Sequence, residues 1–241
     1  MKKILFFLFL AMSTMTYAQD NESSEINKPQ NGNWGNNLPK ISIGEDDDQL
    51  EATAHLGIGF VSPTNVSSGM EFPFGKSWEF FFTPIVFELY MNKAKGDLIS
   101  LGLGFDWRNY RMTNDTRFIA TGDGKVVLGA YPAGAEPQFS RVKVFSLSFP
   151  LLYEHKFNRQ WGLGIGPVFN WNTYGSIKTR YKLDGEKHKY VEKHIGQRKF
   201  TVDAMFILEN PIVDLYLKYS PMDVLNDNDL KFQSLSIGVY L

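Results

Sequence analysis

The chain has 241 residues, no cysteine and a formal net charge of −1 at neutral pH. The lack of cysteine excludes disulfides and thiolate metal sites, and it leaves no cysteine for a lipid anchor. The near-neutral charge excludes the dominant basic surface that nucleic-acid binding requires, so we expect no nucleic-acid partner.

Residues 1–18 have the three features of a cleavable signal peptide. Lys2 and Lys3 form a charged start, residues 4–12 are mostly apolar, and residues 16–18 have a small-x-small pattern. The apolar run is much shorter than the roughly 20 residues of a membrane-spanning helix. We therefore expect export and cleavage. Residues 19–49 are polar, carry an acidic run at 45–48, and are predicted to be a flexible N-terminal segment.

Residues 50–241 contain eight segments in which large apolar residues alternate with small or polar ones, the period of a β-strand. In chain order their apolar faces are Leu56, Ile58 and Phe60; Phe81, Ile85, Phe87 and Leu89; Ile99, Leu101, Leu103, Phe105 and Trp107; Phe145, Leu147, Phe149, Leu151 and Tyr153; Trp161, Leu163 and Ile165; Val202, Ala204, Phe206 and Leu208; Val213, Leu215, Leu217 and Tyr219; and Leu235, Ile237, Val239 and Leu241.

The connections between these segments alternate in length. Short links at 92–97, 156–160 and 210–211 alternate with long polar segments at 61–76, 113–140, around 184–185, and 221–230. Short periplasmic turns and long extracellular loops are typical of outer-membrane barrels. The sequence therefore predicts an all-β, eight-stranded antiparallel transmembrane β-barrel of up-and-down topology, with its apolar faces toward lipid.

A short hairpin is predicted at 117–128, where Asp123-Gly124 has the composition of a tight turn. It represents either two additional barrel strands or an extracellular hairpin. Its two arms are shorter than the roughly 9–11 residues that a spanning strand uses, which favours the extracellular hairpin.

Seven charged side chains are predicted to face the barrel interior: Glu88, Asp106, Arg108, Glu154, Asp203, Asp214 and Lys218. Unpaired charges inside a membrane barrel are costly, and an eight-stranded barrel is just wide enough for side chains to fill. We expect a salt-bridged, closed interior rather than an ion pathway or a pair of catalytic carboxylates.

A basic segment follows the fifth strand and is interpreted as a long β-hairpin around Asp184-Gly185. Its candidate surface-contact residues are Lys178, Arg180, Lys182, Lys187, Lys189 and Lys193. Such a hairpin could contact the phosphates of lipopolysaccharide or another surface partner. The alternative is a solvated charged loop.

The candidate chemical motifs do not assemble into a site. The alternate glycines at 162–166 could suggest a nucleotide-binding loop, but such a loop opens a helix and no helical pattern follows here. Small residues at every second position instead suit the inner face of a narrow barrel. His188, His194 and Glu192 lie among lysines that oppose metal binding, so no metal or cofactor is expected. His55, on a polar strand face, is the one candidate base for a hydrolase, and no nucleophile motif accompanies it.

Four stretches carry a family resemblance. Residues 101–110, LGLGFDWRNY, resemble the GLGxxWRNY strand of an outer-membrane β-barrel family common in Bacteroidetes. Residues 149–153, 164–167 and 235–241 are similar to its later strands. The resemblance covers roughly 50–241, implies a porin-like or PorT-like small barrel in the outer membrane, and rests on structural rather than catalytic motifs.

Three functions are compatible with such a barrel. The first is a non-enzymatic barrel of structural, adhesive or surface-assembly accessory type, in contact with outer-membrane lipids, lipopolysaccharide and envelope proteins. The second is a channel for small solutes. The third is a lipid-modifying outer-membrane enzyme. The first is preferred because neither a pore nor a catalytic group is evident.

Overall fold

The computed structural model describes residues 41–42, 50–91, 96–122, 124–158, 160–226 and 230–241. The signal peptide predicted at 1–18 lies outside these residues, as does nearly all of the segment predicted to be flexible at 19–49. Both remain predictions. Within that segment, Ile41–Ser42 form the short strand β1, which pairs with the beginning of the next strand.

Eight antiparallel strands form the wall of a closed barrel. They are β2 (Leu50–Thr64), β3 (Trp78–Tyr90), β4 (Asp97–Met112), β7 (Glu136–Lys156), β8 (Gly162–Leu183), β10 (Phe200–Glu209), β11 (Asp214–Ser220) and β12 (Gln233–Tyr240). Each pairs with the next in this order, and β12 pairs with β2 to close the ring. The predicted eight-stranded up-and-down barrel is confirmed.

Three further strands lie outside this ring. β5 (Thr116–Ala120) and β6 (Val126–Ala130) form a separate two-stranded sheet, and β9 (Glu186–Lys193) pairs with the far end of β8. The hairpin predicted at 117–128 is therefore not part of the barrel wall. All three strands lie on the long-loop side, which is the extracellular end of such barrels, whereas the short turns mark the periplasmic end.

The outer face of the wall is an apolar belt. Its side chains include Ile58 (55% exposed), Leu103 (43%) and Ile237 (55%). A contiguous apolar surface of this kind marks contact with another apolar phase, and in a closed barrel that phase is the lipid bilayer. Aromatic side chains, among them Trp171 near one edge and Trp161 near the other, border the belt. No helix of the described residues is long and apolar enough to cross a membrane.

One strand face differs from the prediction. Phe81 was expected on the lipid side of β3, but it is 6% exposed and packs inside the barrel. The pairing of β3 with β4 shifts between Phe82 and Ile85, around Pro84. Proline has no N–H to donate, and a bulge here moves the alternation by one residue. As a result Glu79 and Phe81 face inward, while Ile85 and the residues after it keep the predicted face.

Candidate functional site

Two cations and three carboxylates meet inside the barrel, where β3, β4, β10 and β11 face one another. Arg108 Nη2 lies 2.9 Å from Asp106 Oδ2 and 2.6 Å from Asp203 Oδ2. Lys218 Nζ lies 2.8 Å from Asp106 Oδ2 and 2.5 Å from Glu79 Oε1. Arg108 Nε lies 3.2 Å from Glu79 Oε1. All five side chains are buried, and together they are called the ion layer below.

Uncharged donors complete the ion layer. The Tyr216 hydroxyl donates to Glu79 Oε2 at 3.0 Å, and Asn170 Nδ2 donates to Asp203 Oδ2 at 2.8 Å. Hydrogen bonds to ionised carboxylates are among the stronger ones in proteins. They offset part of the cost of burying three acidic groups against two basic ones.

The seven predicted interior charges are divided between two regions of the barrel. Four belong to the ion layer, and the other three, Glu88, Glu154 and Asp214, lie nearer the periplasmic end. Thr53 donates to Glu88 at 2.6 Å, and Ser100 donates to Glu154 at 3.1 Å. Asp214 is partly exposed at the start of β11, where it accepts a hydrogen bond from the backbone of the preceding turn.

The sequence analysis missed Glu79, the fifth member of the ion layer. With uninterrupted alternation along β3, Glu79 shares the face assigned to Ile85 and would point into lipid. The signal that reveals its true direction is Pro84 within the strand, because an interior proline marks a bulge or an edge.

Apolar side chains fill the barrel on both sides of the ion layer. Toward the periplasm they are Phe81, Leu152, Val168, Met205, Ile207 and Tyr216. Toward the outside they include Tyr110, Met112, Phe118, Val142, Ile177 and Phe232. A cavity of about 20 Å³ lies beside Lys218 and Met205. That volume accommodates roughly one water molecule.

The candidate base His55 lies near the periplasmic end, beside a hydroxyl that the sequence did not indicate. Its Nε2 is 3.2 Å from Thr53 Oγ1 and 3.6 Å from Glu88 Oε1, and its ring stacks on Tyr240. Thr53, however, directs its proton to Glu88. In nucleophilic catalysis the hydroxyl proton is directed to the histidine instead. The geometry therefore gives no support to His55 as a catalytic base.

The predicted basic side chains lie on the outward face of β8 and β9. The register pairs Arg180 with Lys189 and Lys182 with Lys187, so each pair lies on one face of the hairpin. Strand pairing adds three cations that the sequence did not connect with them. Arg111 is opposite Arg141, Arg141 is opposite Lys178, and Lys143 is opposite Ser176, which is itself opposite Lys193. The whole set is called the basic wall and comprises Arg111, Arg141, Lys143, Lys178, Arg180, Lys182, Lys187, Lys189 and Lys193.

The inward face of the same hairpin borders an open cleft of about 330 Å³. Tyr181 stacks on Tyr190 and on His188, and the Arg117 guanidinium lies 5.9 Å from the Tyr181 ring centre. Glu192 accepts a hydrogen bond from the β5 backbone at 2.7 Å, which ties β9 to the β5–β6 hairpin.

Within the described ranges, no three His, Cys, Asp or Glu side chains are grouped closely enough to hold a metal ion. The contacts of His188 and Glu192 are those just given, and His194 lies at a backbone position with φ of 58°. His188 therefore packs within the hairpin and Glu192 ties it to β5.

The fold is that of an outer-membrane β-barrel. No family model and no curated protein matches the chain. Among solved structures it is similar to Ail, the attachment invasion locus protein of Yersinia pestis, at 12% identity and a TM-score of 0.35, covering 80% of this chain and 99% of Ail. It is also similar to Ail in complex with the heparin analogue sucrose octasulfate, at 14% identity and a TM-score of 0.33, covering 80% of this chain and 99% of Ail. The similarity to Yersinia pestis Ail in a phospholipid bilayer nanodisc has 15% identity and a TM-score of 0.30, covering 78% of this chain and 98% of Ail. Likeness at this level does not bear on function, and the barrel rests on its own strand pairing.

Proposed function

We propose that this protein is a closed, non-enzymatic outer-membrane barrel of structural, adhesive or surface-assembly accessory type. The observation that carries the proposal is the filling of its interior by the ion layer and by the apolar clusters on both sides of it. In this reading, the functional surface is the extracellular one that the β5–β6 and β8–β9 hairpins present.

A filled interior opposes the channel alternative. An eight-stranded barrel has room for little besides its own side chains. Here Arg108 on β4 reaches across the interior to Asp203 on β10, and Lys218 on β11 reaches across it to Glu79 on β3. A solute would have to break these ion pairs, which leaves buried charges without partners at a cost of several kcal/mol.

The extracellular hairpins support a surface role. β7, β8 and β9 continue beyond the apolar belt as a three-stranded arm, and Glu192 on β9 ties this arm to the β5–β6 hairpin. Structured hairpins held above a barrel form a defined surface for a partner, such as another envelope protein or an external molecule. The lipid-modifying enzyme is not favoured, because the Thr53 proton is directed away from His55.

Membership of the Bacteroidetes outer-membrane barrel family is part of the proposal. The motif at 101–110 supports it, because the structure gives a physical role to both of its faces. Leu101, Leu103 and Phe105 face outward, while Asp106 and Arg108 belong to the ion layer.

Conductance across a planar bilayer tests the closed barrel. We expect the purified protein to be heat-modifiable on gels, which shows that the barrel is folded, and to give no steady current. A matched measurement uses a known open porin in the same lipid. Large and stable conductance of the folded wild-type protein would overturn the proposal and establish the channel alternative.

Access of the β8–β9 hairpin on intact cells tests the surface role. A short epitope inserted after Gly185, at the exposed tip, should bind antibody without permeabilisation of the cells. The control carries the same epitope in the β10–β11 turn at Pro211, which we expect to be detected only after permeabilisation. If antibody reached the Pro211 epitope on intact cells but reached the Gly185 epitope only after permeabilisation, the barrel would have the opposite orientation in the membrane and the surface role would be wrong.

A further inference from the structure

The basic wall lies on one side of the barrel, directly beyond the extracellular edge of the apolar belt. Lys143 and Arg141 lie two and four residues before the lipid-facing Phe145 in the chain, on the same strand face and toward the extracellular end. A strand rises about 3.4 Å per residue and barrel strands tilt by about 35–45°, so these cations lie about 5 and about 10 Å beyond Phe145 along the membrane normal. The headgroup layer of a bilayer is roughly 5–8 Å thick on each side. The basic wall therefore begins at headgroup depth.

An aromatic ring organises the centre of the basic wall. The Arg111 guanidinium carbon lies 4.5 Å from the centre of the Phe139 ring, with Arg180 at 5.6 Å and Arg141 at 5.9 Å. Cations are attracted to the face of an aromatic ring. Three arginines from three different strands are thereby held close together in spite of their mutual repulsion.

The positive charge at this centre is not neutralised by the residues that the structure describes. Among the described residues, no ion pair is formed by Arg111, Arg141, Lys143, Lys178 or Arg180. The nearest acid–base pair in the basic wall joins Lys182 to Glu136 at 3.9 Å, at its upper edge. The Nε atoms of Arg111 and Arg141 are both buried, and neither has a hydrogen-bond partner within the part of the chain that is described.

The strand register places these cations side by side, since Arg141 lies opposite Arg111 on one neighbouring strand and opposite Lys178 on the other. Like charges this close repel one another, and a bound anion would relieve the repulsion.

We propose that the basic wall binds the phosphate groups of lipopolysaccharide in the outer leaflet around the barrel. This inference rests on the proposed function, since it requires the barrel to lie in an outer membrane. The planar guanidiniums of Arg111, Arg141 and Arg180 match phosphate oxygens in bidentate geometry, and Lys143 and Lys178 add point charges beside them.

Position and direction favour this lipid over an acidic protein or a soluble anion. Arg111 on β4 and Arg141 and Lys143 on β7 lie on the same strand faces as the lipid-facing residues below them. The Phe145 and Trp107 rings, 5.0 Å apart beneath them, continue the same surface into the acyl region. A molecule that carries both acyl chains and several phosphates fits both parts of this surface.

The test compares two lipids and two double variants in nanodiscs of phosphatidylcholine. The probes are bis-phosphorylated lipid A and the same lipid A with both phosphates removed, and the bound lipid is quantified by native mass spectrometry. The wall variant is R141Q/R180Q. The matched control is K76Q/K231Q, which removes two exposed cations from extracellular loops outside the basic wall. Heat-modifiable migration establishes that each variant is folded.

We expect wild type to prefer the phosphorylated lipid and the wall variant to bind it at least about tenfold more weakly, since two charge-assisted contacts are removed. We expect the control to change by less than about twofold. Added salt should weaken binding by wild type, which tests the inference even if the wall variant does not fold.

Equal binding of both lipids by wild type, or equal losses in both variants, would overturn the inference. If the barrel is folded and non-conducting at the same time, the proposed function stands. Steady conductance together with selective binding of phosphorylated lipid A would overturn the proposed closed barrel and would support the inference.

Discussion

Arg108 is the residue on which the ion layer depends. Its guanidinium contacts Asp106 and Asp203 through Nη2 and Glu79 through Nε. The planar fork of an arginine reaches acceptors on different strands, whereas the single ammonium of a lysine does not offer that geometry. Lys218 bridges Asp106 and Glu79, so without Arg108 the one partner of the Asp203 carboxylate among the described residues is the side-chain amide of Asn170.

Replacement of Arg108 by alanine should therefore destabilise the barrel strongly. Removal of one partner of a buried ion pair costs about 3–5 kcal/mol, because the other charge stays buried. Urea unfolding in lipid vesicles measures this loss, with Lys187→Ala on the exposed hairpin as the control. The interior should stay closed to ions, because the apolar clusters on both sides of the ion layer are unaffected. Equal unfolding midpoints for the two variants would show that the ion layer does not stabilise the fold.

Gly166 is a residue at which the barrel allows no side chain. A Cβ at this position would collide with the backbone oxygen of Leu151 on the neighbouring strand, whereas a Cβ at Gly122 meets nothing within 4 Å. Backbone atoms do not move aside as a flexible side chain does. Gly166→Ala should cost at least about 1–3 kcal/mol, and Gly122→Ala should be nearly neutral in the same unfolding measurement. A neutral Gly166→Ala would show that β7 and β8 are less closely packed than described.

The β5–β6 hairpin has a structural role that the length of its two arms does not reveal. Its arms are too short to span a membrane, yet it is not a free loop. Phe118 is 2% exposed and packs against Phe232 and Phe72 in the outer apolar cluster. The Phe118 backbone N–H donates to the Ser140 hydroxyl at 3.0 Å. The hairpin thus covers the extracellular mouth of the barrel.

Truncation of Phe118 tests this covering role. Phe118→Ala should lower the free energy of unfolding by about 3–5 kcal/mol, as for other buried phenylalanines. Val127→Ala in the same hairpin is the control, because Val127 is 38% exposed. Hydrogen exchange of the hairpin amides would locate the loss. Similar small effects of both substitutions would mean that the hairpin does not pack on the barrel.

The sequence predicts these elements well wherever local periodicity determines them. Alternation along β4 places Leu103 and Asp106 on their correct faces, and loop lengths give the topology. It fails at bulges, where one inserted residue reverses the alternation, as for Glu79 and Phe81. It also fails where a site is assembled by register. Arg111 and Arg141 are 30 positions apart in the chain and become neighbours only through the pairing of β4 with β7.

At the scale of the whole molecule, the barrel has a polar middle layer inside and an apolar surface outside. In water this arrangement would expose the belt, so the bilayer is part of what stabilises the fold. The two faces of β4 illustrate this arrangement, since Leu103 points into lipid while Asp106 lies in the ion layer. The exposed apolar surface is therefore a requirement of the environment rather than a binding patch.

A charge placed on the belt tests this assignment for the molecule as a whole. Leu103→Arg should cost on the order of 2–4 kcal/mol, as arginine does near the midplane of other barrels. Val127→Arg makes a comparable change at an exposed apolar position beyond the membrane, and we expect it to be nearly neutral. Folding into vesicles, followed by heat-modifiable migration and urea titration, measures both. If the two arginines were equally tolerated, the belt would not contact lipid, because only the absence of water at Leu103 distinguishes the two positions.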